Sequence, residues 1–333
     1  MNRLDLPLGR AQWAATEAAA AAITEPFRGL YAEQRFEHVQ PVRLQPGVPA
    51  RLRRPYATSV SYLDWGARDA PVVVCTGGVA NAAMRFSFLA RALAAHHRVV
   101  CMDWLGRGRS GWLADDREYG LLTYVEQLRQ LLDHLACPRA TLLGSSMGGS
   151  VAMAFAAAHP RRVERLVLND VGPAIPRARR AQRAQALARF YVFRTPADLL
   201  RRVGAAHKHD GPIDDALRLF LAWHQTRWSD ENDGRVYRHD PRAMLAYQRD
   251  AARSVDQWAE WETIACPVLL LHGVLSDALS PRTIARMQRA RPLSVAHIPH
   301  TGHAPVLAAP AQIAAIDAWL RDADPAAREL TIE

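Results

Sequence analysis

The chain has 333 residues, of which 49% are hydrophobic and 23% are charged, a balance typical of folded globular proteins. Its formal net charge is +9, carried almost entirely by arginines that are spread along the chain without a nucleic-acid recognition motif. No apolar stretch approaches the roughly 20 residues that span a bilayer. We therefore expect neither nucleic acid nor a membrane as a partner.

The first segment, residues 1–35, is predicted to be an N-terminal helical extension. Its alanine-rich stretch, residues 14–23, is interrupted by Glu17. Glu25 and Pro26 follow it at the place where a secretory signal would need small residues for cleavage. The pattern favours an amphipathic helix over a signal peptide, and we expect a cytoplasmic protein.

The core is predicted to be a doubly wound, mostly parallel α/β sheet. Residues 36–44 and 59–65 are candidates for an antiparallel edge. Short, continuously apolar runs then alternate with segments of helical spacing, which is typical of a parallel sheet covered by helices on both faces. The predicted strands of this part are 71–75, 98–102, 140–143, 165–168, 267–271 and 294–298.

The alternation stops between residues 173 and 262, a stretch rich in Arg, Ala, Leu and aromatic residues without a buried-strand run. We interpret it as an inserted helical cap. The core then comprises residues 36–172 and 263–324, and the residues after 324 are expected to form a loose tail.

One motif in the core carries catalytic chemistry. Gly144-Ser-Ser-Met-Gly148 follows a predicted strand and precedes a predicted helix, which is the context of a G-x-S-x-G nucleophile elbow. Such a turn is too tight for bulky flanking side chains and holds the serine outward at the top of the sheet. The motif predicts Ser146 as a nucleophile.

A serine nucleophile needs a neighbouring base, and an acid usually orients that base. His303 follows the last predicted strand, and Asp277 follows the strand before it. Both therefore project from the carboxyl edge of the sheet, where sites in open α/β sheets lie. Asp170, after the predicted strand 165–168, is the alternative acid, but we favour Asp277.

These motifs, in this order, resemble the α/β-hydrolase family, specifically its esterase and C–C hydrolase branches with a helical cap. The resemblance covers about residues 60 to 320 and includes the loop 103–110 and the segment 273–280. It implies that His303 is the general base and that Asp277 orients it. Ser276 occupies the place where many relatives carry the acid, whereas some carry it at the place of Asp170.

The resemblance also implies an oxyanion hole formed by the backbone N–H groups of Gly78 and Met147. Thr76 stands where the family usually has a histidine. The substrate pocket is expected to present apolar surface beneath the cap. The aromatic candidates for this pocket are Trp104, Phe190, Trp223 and Trp228.

The sequence thus predicts a carboxylesterase-like serine hydrolase that cleaves a small to medium hydrophobic ester through an acyl-enzyme on Ser146. No metal and no organic cofactor is expected. The alternatives are a C–C bond hydrolase of dienoate ring-cleavage products, a lactonase or an amidase, and, with less weight, a non-catalytic member that binds a ligand. The expected partner is the small-molecule substrate, with the protein a monomer or a homodimer.

Overall fold

The computed structural model describes residues 9–206, 210–211, 213–325 and 327–332. The first eight residues of the predicted N-terminal extension, and residues 207–209 and 212 of the predicted cap, lie outside the described residues. The strands are β1 (Tyr31–Gln40), β2 (Tyr56–Trp65), β3 (Val72–Thr76), β4 (Arg98–Met102), β5 (Ala140–Ser145), β6 (Val163–Asn169), β7 (Ala174–Ile175), β8 (Val192–Phe193), β9 (Thr226–Ser229), β10 (Gly234–Tyr237), β11 (Val255–Asp256), β12 (Val268–Gly273), β13 (Ser294–Ile298) and β14 (Glu329–Thr331). The α-helices are α1 (Ala14–Thr24), α2 (Ser87–Leu93), α3 (Leu121–His134), α4 (Met147–Ala158), α5 (Arg177–Leu187), α6 (Pro196–Ala206), α7 (Asp215–His224), α8 (Pro241–Asp250), α9 (Trp258–Thr263), α10 (Pro281–Ala290) and α11 (Pro310–Arg321).

Within the described part of the chain, nine strands form the central sheet in the order β1-β2-β4-β3-β5-β6-β12-β13-β14. The pairs β1/β2 and β2/β4 are antiparallel, and every other neighbouring pair is parallel. The predicted fold class, a mostly parallel α/β sheet with an antiparallel edge, is confirmed. The carboxyl ends of the parallel strands therefore share one edge, where the candidate site lies.

Both faces of the sheet are buried, which explains the continuously apolar strands. In β3, Val74 points into the core formed with α3 and α4, while Val73 and Cys75 point into the core formed with α2 and α11. Because side chains alternate between faces, a strand covered on both sides needs apolar residues at consecutive positions.

The cap is inserted between β6 and β12, and its helices α5 to α8 agree with the predicted helical insertion. It also contains short strands that the sequence analysis did not predict. The strands β8, β10 and β9 form a small antiparallel sheet, and β7 pairs with β11 where the chain enters and leaves the cap. These strands have two to four residues, too few to produce a recognisable alternation of apolar and polar positions.

The N-terminal helix α1 packs against the cap. Trp13 is buried among Phe193, Leu199 and Ala222 of the cap. Thr24 Oγ1 lies 3.0 Å from His224 Nε2, which extends this contact to α7. The N-terminal helix therefore packs on the cap.

The predicted loose tail after residue 324 is wrong in one respect. Residues Glu329–Thr331 form β14, which pairs in parallel with β13 and extends the central sheet. This strand has only three residues, and two of them are exposed. It therefore has no apolar run from which a strand could be predicted.

The four cysteines, Cys75, Cys101, Cys137 and Cys266, are all buried and form no disulfide. In the regions that the structure describes, no helix has both the length and the apolar character needed to cross a bilayer.

Candidate active site

Ser146 lies in a sharp turn between β5 and α4. Its φ angle is +52°, a conformation that non-glycine residues adopt rarely and at a cost. A Cβ on Gly144 would lie 2.5 Å from the carbonyl carbon of Gly148, and a Cβ on Gly148 would lie 2.5 Å from the carbonyl oxygen of Thr76. The two glycines are therefore required by close backbone approach, and the turn presents Ser146 at the carboxyl edge of the sheet.

A chain of hydrogen bonds connects Ser146 to a buried carboxylate. His303 Nε2 lies 3.0 Å from Ser146 Oγ, and His303 Nδ1 lies 2.7 Å from Asp170 Oδ2. An ionised carboxylate only accepts hydrogen bonds, so Nδ1 carries the ring proton and donates a hydrogen bond to Asp170. The neutral ring then has its lone pair on Nε2, which accepts the hydroxyl of Ser146. This arrangement can remove a proton from the serine.

Asp170 is held in place by three donors. Besides His303, the backbone N–H of Gly273 donates to Oδ1 at 3.1 Å and the hydroxyl of Ser276 donates to Oδ2 at 2.6 Å. The Asp170 side chain is completely buried. Burial of a carboxylate is costly unless such bonds compensate it, so the surrounding loops fix the carboxylate and, through it, the imidazole.

The choice of Asp277 as the acid is therefore wrong for the geometry. Its side chain is 70% exposed and pairs with Arg179 Nε at 2.8 Å. The loop after β12 turns so that Ser276 faces inward to Asp170, and the next residue faces outward. The structure thus brings the alternative acid, Asp170, to His303.

The loop after β3 lies beside Ser146 at the expected place for an oxyanion hole. Gly78 is close to the serine, since a Cβ on Gly78 would lie 3.4 Å from Ser146 Cβ. However, the N–H of Gly78 donates a hydrogen bond to Asn81 Oδ1 at 3.0 Å. In this conformation Asn81 caps the loop and occupies that donor. Met147 is the first residue of α4, so its N–H has no intrahelical acceptor. The oxyanion role of Gly78 and Met147 remains a prediction.

A second loop, after β4, supports the loop after β3. The buried Arg107 donates from Nε to the carbonyl of Val79 at 2.9 Å. Asp103 accepts the backbone N–H groups of Ala83 and Arg109 at 2.7 and 2.9 Å. Burial raises the pKa of Asp103 to about 6, although these two bonds oppose the shift. Residues 103–110 therefore stabilise the loop after β3 through these hydrogen bonds.

Two cavities meet at Ser146. The larger, here called the main cavity, has a volume of about 340 Å³. Besides Ser146, its lining includes Val79, Met147, Ile175 and Tyr247. The lining also contains charged residues, namely Arg107 of the core and residues of the cap that include Arg180, Asp250, Arg253 and Asp256. A volume of this size suits a small molecule, since ligand pockets are typically about 300–1,000 Å³.

The smaller cavity, here called the side cavity, lies on the His303 side of Ser146 and has a volume of about 50 Å³. It is lined by Gly78, Asn81, Arg85, Arg179, Arg183, Asp210, Tyr247 and His303, among others. The pKa of Arg85 is lowered by burial, an effect that the neighbouring carboxylate of Asp210 opposes. The side cavity is thus polar, and three of its lining residues are arginines.

The prediction of four aromatic pocket residues is wrong. None of the four is among the described residues that line the two cavities. Trp104 is buried in the core and donates from Nε1 to the carbonyl of Gly77 at 2.9 Å. Phe190 is 58% exposed on the cap. Trp223 stacks under the guanidinium of Arg235, and Trp228 donates to Asp230. These side chains stabilise the cap or the core.

Arg85, Val79 and Tyr247 line the cavities at Ser146 although no sequence pattern predicted them as site residues. Arg85 contacts Ala304 and Pro305, which lie more than two hundred residues later in the chain. No local spacing in the sequence therefore indicates this contact. Tyr247 lies among other aromatic residues of the cap, and its place over both cavities depends on how α8 packs.

The described residues contain no group of three or more His, Cys, Asp or Glu side chains that could hold a metal ion. The side chains brought together beside the cavities are a serine, a base and a buried carboxylate.

Comparison with known proteins supports the same assignment. A family model described as alpha/beta hydrolase fold matches residues 70–310. A 3-hydroxybutyrate-oligomer hydrolase of Cupriavidus necator is 32% identical over 278 residues, which cover 80% of this chain and 92% of that protein. The solved structure of an α/β hydrolase of Novosphingobium aromaticivorans aligns with a TM-score of 0.74 and 27% identity, covering 86% of this chain and 96% of that one. A protein of Rickettsia typhi aligns with a TM-score of 0.81 and 21% identity, covering 88% of this chain and 100% of that one. The chain is therefore a hydrolase of the α/β-hydrolase fold family.

Proposed function

We propose that the protein hydrolyses carboxylic esters through an acyl-enzyme formed on Ser146. The observation that carries the proposal is the hydrogen-bonded chain from Ser146 through His303 to the buried Asp170, at 3.0 and 2.7 Å. The strained turn aims the serine at the junction of two cavities. A nucleophile, a base and an orienting acid in this order are the machinery of acyl transfer.

In the first half-reaction, Ser146 Oγ attacks the ester carbonyl while His303 Nε2 takes the hydroxyl proton. Asp170 stabilises the resulting imidazolium. The carbonyl oxygen becomes an oxyanion, which the N–H groups of Met147 and Gly78 stabilise once Gly78 is released from its loop contact. The C–O bond to the alcohol breaks, and His303 gives the proton to the departing oxygen. Water then repeats these steps on the acyl-enzyme and releases the acid.

The main cavity favours a short aliphatic substrate. Its lining includes Val79, Ile175 and Tyr247, which offer apolar surface to an acyl chain. The relative from Cupriavidus necator is named for hydrolysis of 3-hydroxybutyrate oligomers, which are short aliphatic esters. That likeness, over most of both chains, supports short esters over large lipid substrates.

The proposal is tested by hydrolysis of p-nitrophenyl acetate, butyrate and octanoate by the wild type and by Ser146→Ala, purified in parallel. We expect turnover by the wild type, with butyrate preferred over octanoate, and loss of turnover in the variant. A folded wild type that reacts with a fluorophosphonate at Ser146 but hydrolyses none of these esters would instead favour the C–C hydrolase alternative.

A further inference from the structure

The two cavities differ in which catalytic residue they contact. Met147, one of the two predicted oxyanion donors, lines the main cavity, whereas His303 and the other predicted donor, Gly78, line the side cavity. In the proposed reaction His303 delivers a proton to the departing alcohol oxygen, so the alcohol portion of the ester must lie on the His303 side. The side cavity is therefore the place of the alcohol portion, and the main cavity is the place of the acyl portion.

Arg85 forms one wall of the side cavity and is only 4% exposed. Its Nη2 donates to the carbonyls of Ala304 and Pro305 at 2.9 and 3.3 Å, and lies 3.6 Å from Asp210 Oδ2. Nε and Nη1 contact no acceptor in the part of the chain that the structure describes. A guanidinium has five N–H donors, so Arg85 retains donors that these contacts do not use.

The cap adds positive charge from the opposite wall. Arg179 and Arg183 lie four residues apart on α5 and therefore on the same face of the helix. Both line the side cavity, and Arg179 also lines the main cavity. Among the described residues of this lining, Asp210 is the only carboxylate against three arginines. Arg179 also pairs with Asp277 farther out. The side cavity thus has an excess of positive charge next to the catalytic histidine.

We propose that the side cavity binds a carboxylate on the alcohol portion of the substrate, so that the enzyme cleaves esters of hydroxycarboxylic acids and releases a free hydroxy acid. This proposal rests on the proposed esterase function and names its substrate class. A volume of about 50 Å³ admits a small anionic group. Arginine suits this role because its planar fork matches the geometry of a carboxylate.

The test uses a matched pair of substrates with the same scissile bond: 3-(butyryloxy)butanoate and its methyl ester, which differ by one negative charge on the alcohol portion. Release of butyrate is followed by chromatography, and p-nitrophenyl butyrate reports esterase activity independently of this pair. The readout is the ratio of kcat/KM for the charged substrate to that for the neutral one. We expect a ratio of at least about ten in the wild type, decreasing as salt screens the exposed Arg183.

Three variants assign the effect. Arg183→Gln and Arg85→Gln should each lower the ratio several-fold. Arg85→Lys should retain part of the ratio, because lysine keeps the positive charge but lacks the planar guanidinium. Arg201→Gln removes a cap arginine that is 80% exposed and remote from this lining, and should leave the ratio unchanged. Circular dichroism identifies a variant that fails to fold, in which case Arg183→Gln decides.

The outcomes separate the two proposals. A wild-type ratio near or below one, with p-nitrophenyl butyrate hydrolysed at Ser146, overturns the carboxylate site and leaves the esterase function standing. A high ratio that Arg183→Gln and Arg85→Gln do not change overturns the assignment of these arginines. Hydrolysis of no ester at all overturns the proposed function, and this inference fails with it.

Discussion

Replacement of Asp170 by Asn tests which carboxylate supports the base. The Oδ2 atom of Asp170 lies 2.7 Å from Nδ1 of His303, in a place without solvent exposure. Removal of the negative charge leaves the imidazolium that forms in the transition state without its partner. For charge centres about 4 Å apart at an effective dielectric constant of about 20, the lost attraction is about 4 kcal/mol.

A loss of about 4 kcal/mol in transition-state stabilisation corresponds to a roughly 10³-fold decrease in kcat/KM. Asp277→Asn is the matched control, since it makes the same chemical change at an exposed carboxylate. An exposed ion pair such as Asp277 with Arg179 contributes about 0–1 kcal/mol, so we expect kcat/KM within about threefold of the wild type.

The assay is p-nitrophenyl butyrate hydrolysis by the wild type and both variants, with thermal unfolding to show that each variant is folded. The reasoning is refuted if a folded Asp277→Asn loses activity by two orders of magnitude or more while Asp170→Asn retains it. That result would mean that the loop after β12 rearranges to bring Asp277 to the histidine.

Three further changes test the surroundings of the site. Ser276→Ala removes a 2.6 Å hydrogen bond to the buried Asp170 and should lower the free energy of unfolding by about 2 kcal/mol, with kcat reduced severalfold, measured by urea unfolding and ester kinetics. Gly144→Ala would place a Cβ 2.5 Å from the backbone of Gly148, so we expect a loss of about 3 kcal/mol or more and no fluorophosphonate labelling; a stable, labelled variant would contradict this. Because burial raises the pKa of Asp103 from 3.8 to about 6, ionisation of this group destabilises the fold. As the pH falls from about 7 to about 3, the unfolding free energy of the wild type should therefore increase by about 2–3 kcal/mol relative to that of Asp103→Asn. Urea unfolding measures this difference, and a difference that does not change with pH would refute the pKa shift.

The parts of the fold that follow from local pattern were predictable from the sequence. Consecutive apolar residues in β3 to β6 and in β12 and β13 indicate strands buried on both faces, and the strand-turn-helix context of residues 144–148 indicates the elbow. By contrast, β14 and the strands of the cap are only two to four residues long. Their pairing is decided by tertiary contacts, which local periodicity does not report.

The acid illustrates where the sequence alone is insufficient. Asp170 and Asp277 both follow strands that end at the same edge, so strand order places both near His303. The difference comes from one turn of backbone, in which Ser276 faces Asp170 and the following side chain faces solvent. Arg85 shows the same limit, because its neighbours in space are more than two hundred residues away in the chain.

The most direct test of the account is to identify the covalent intermediate. The protein is quenched with acid during turnover of p-nitrophenyl butyrate, digested and analysed by mass spectrometry. The account predicts a butyryl group, roughly 70 Da added by acyl transfer, on the peptide that contains Ser146, and no such group in Ser146→Ala. Turnover with the butyryl group on another residue, or undiminished turnover by Ser146→Ala, would contradict the central role of Ser146.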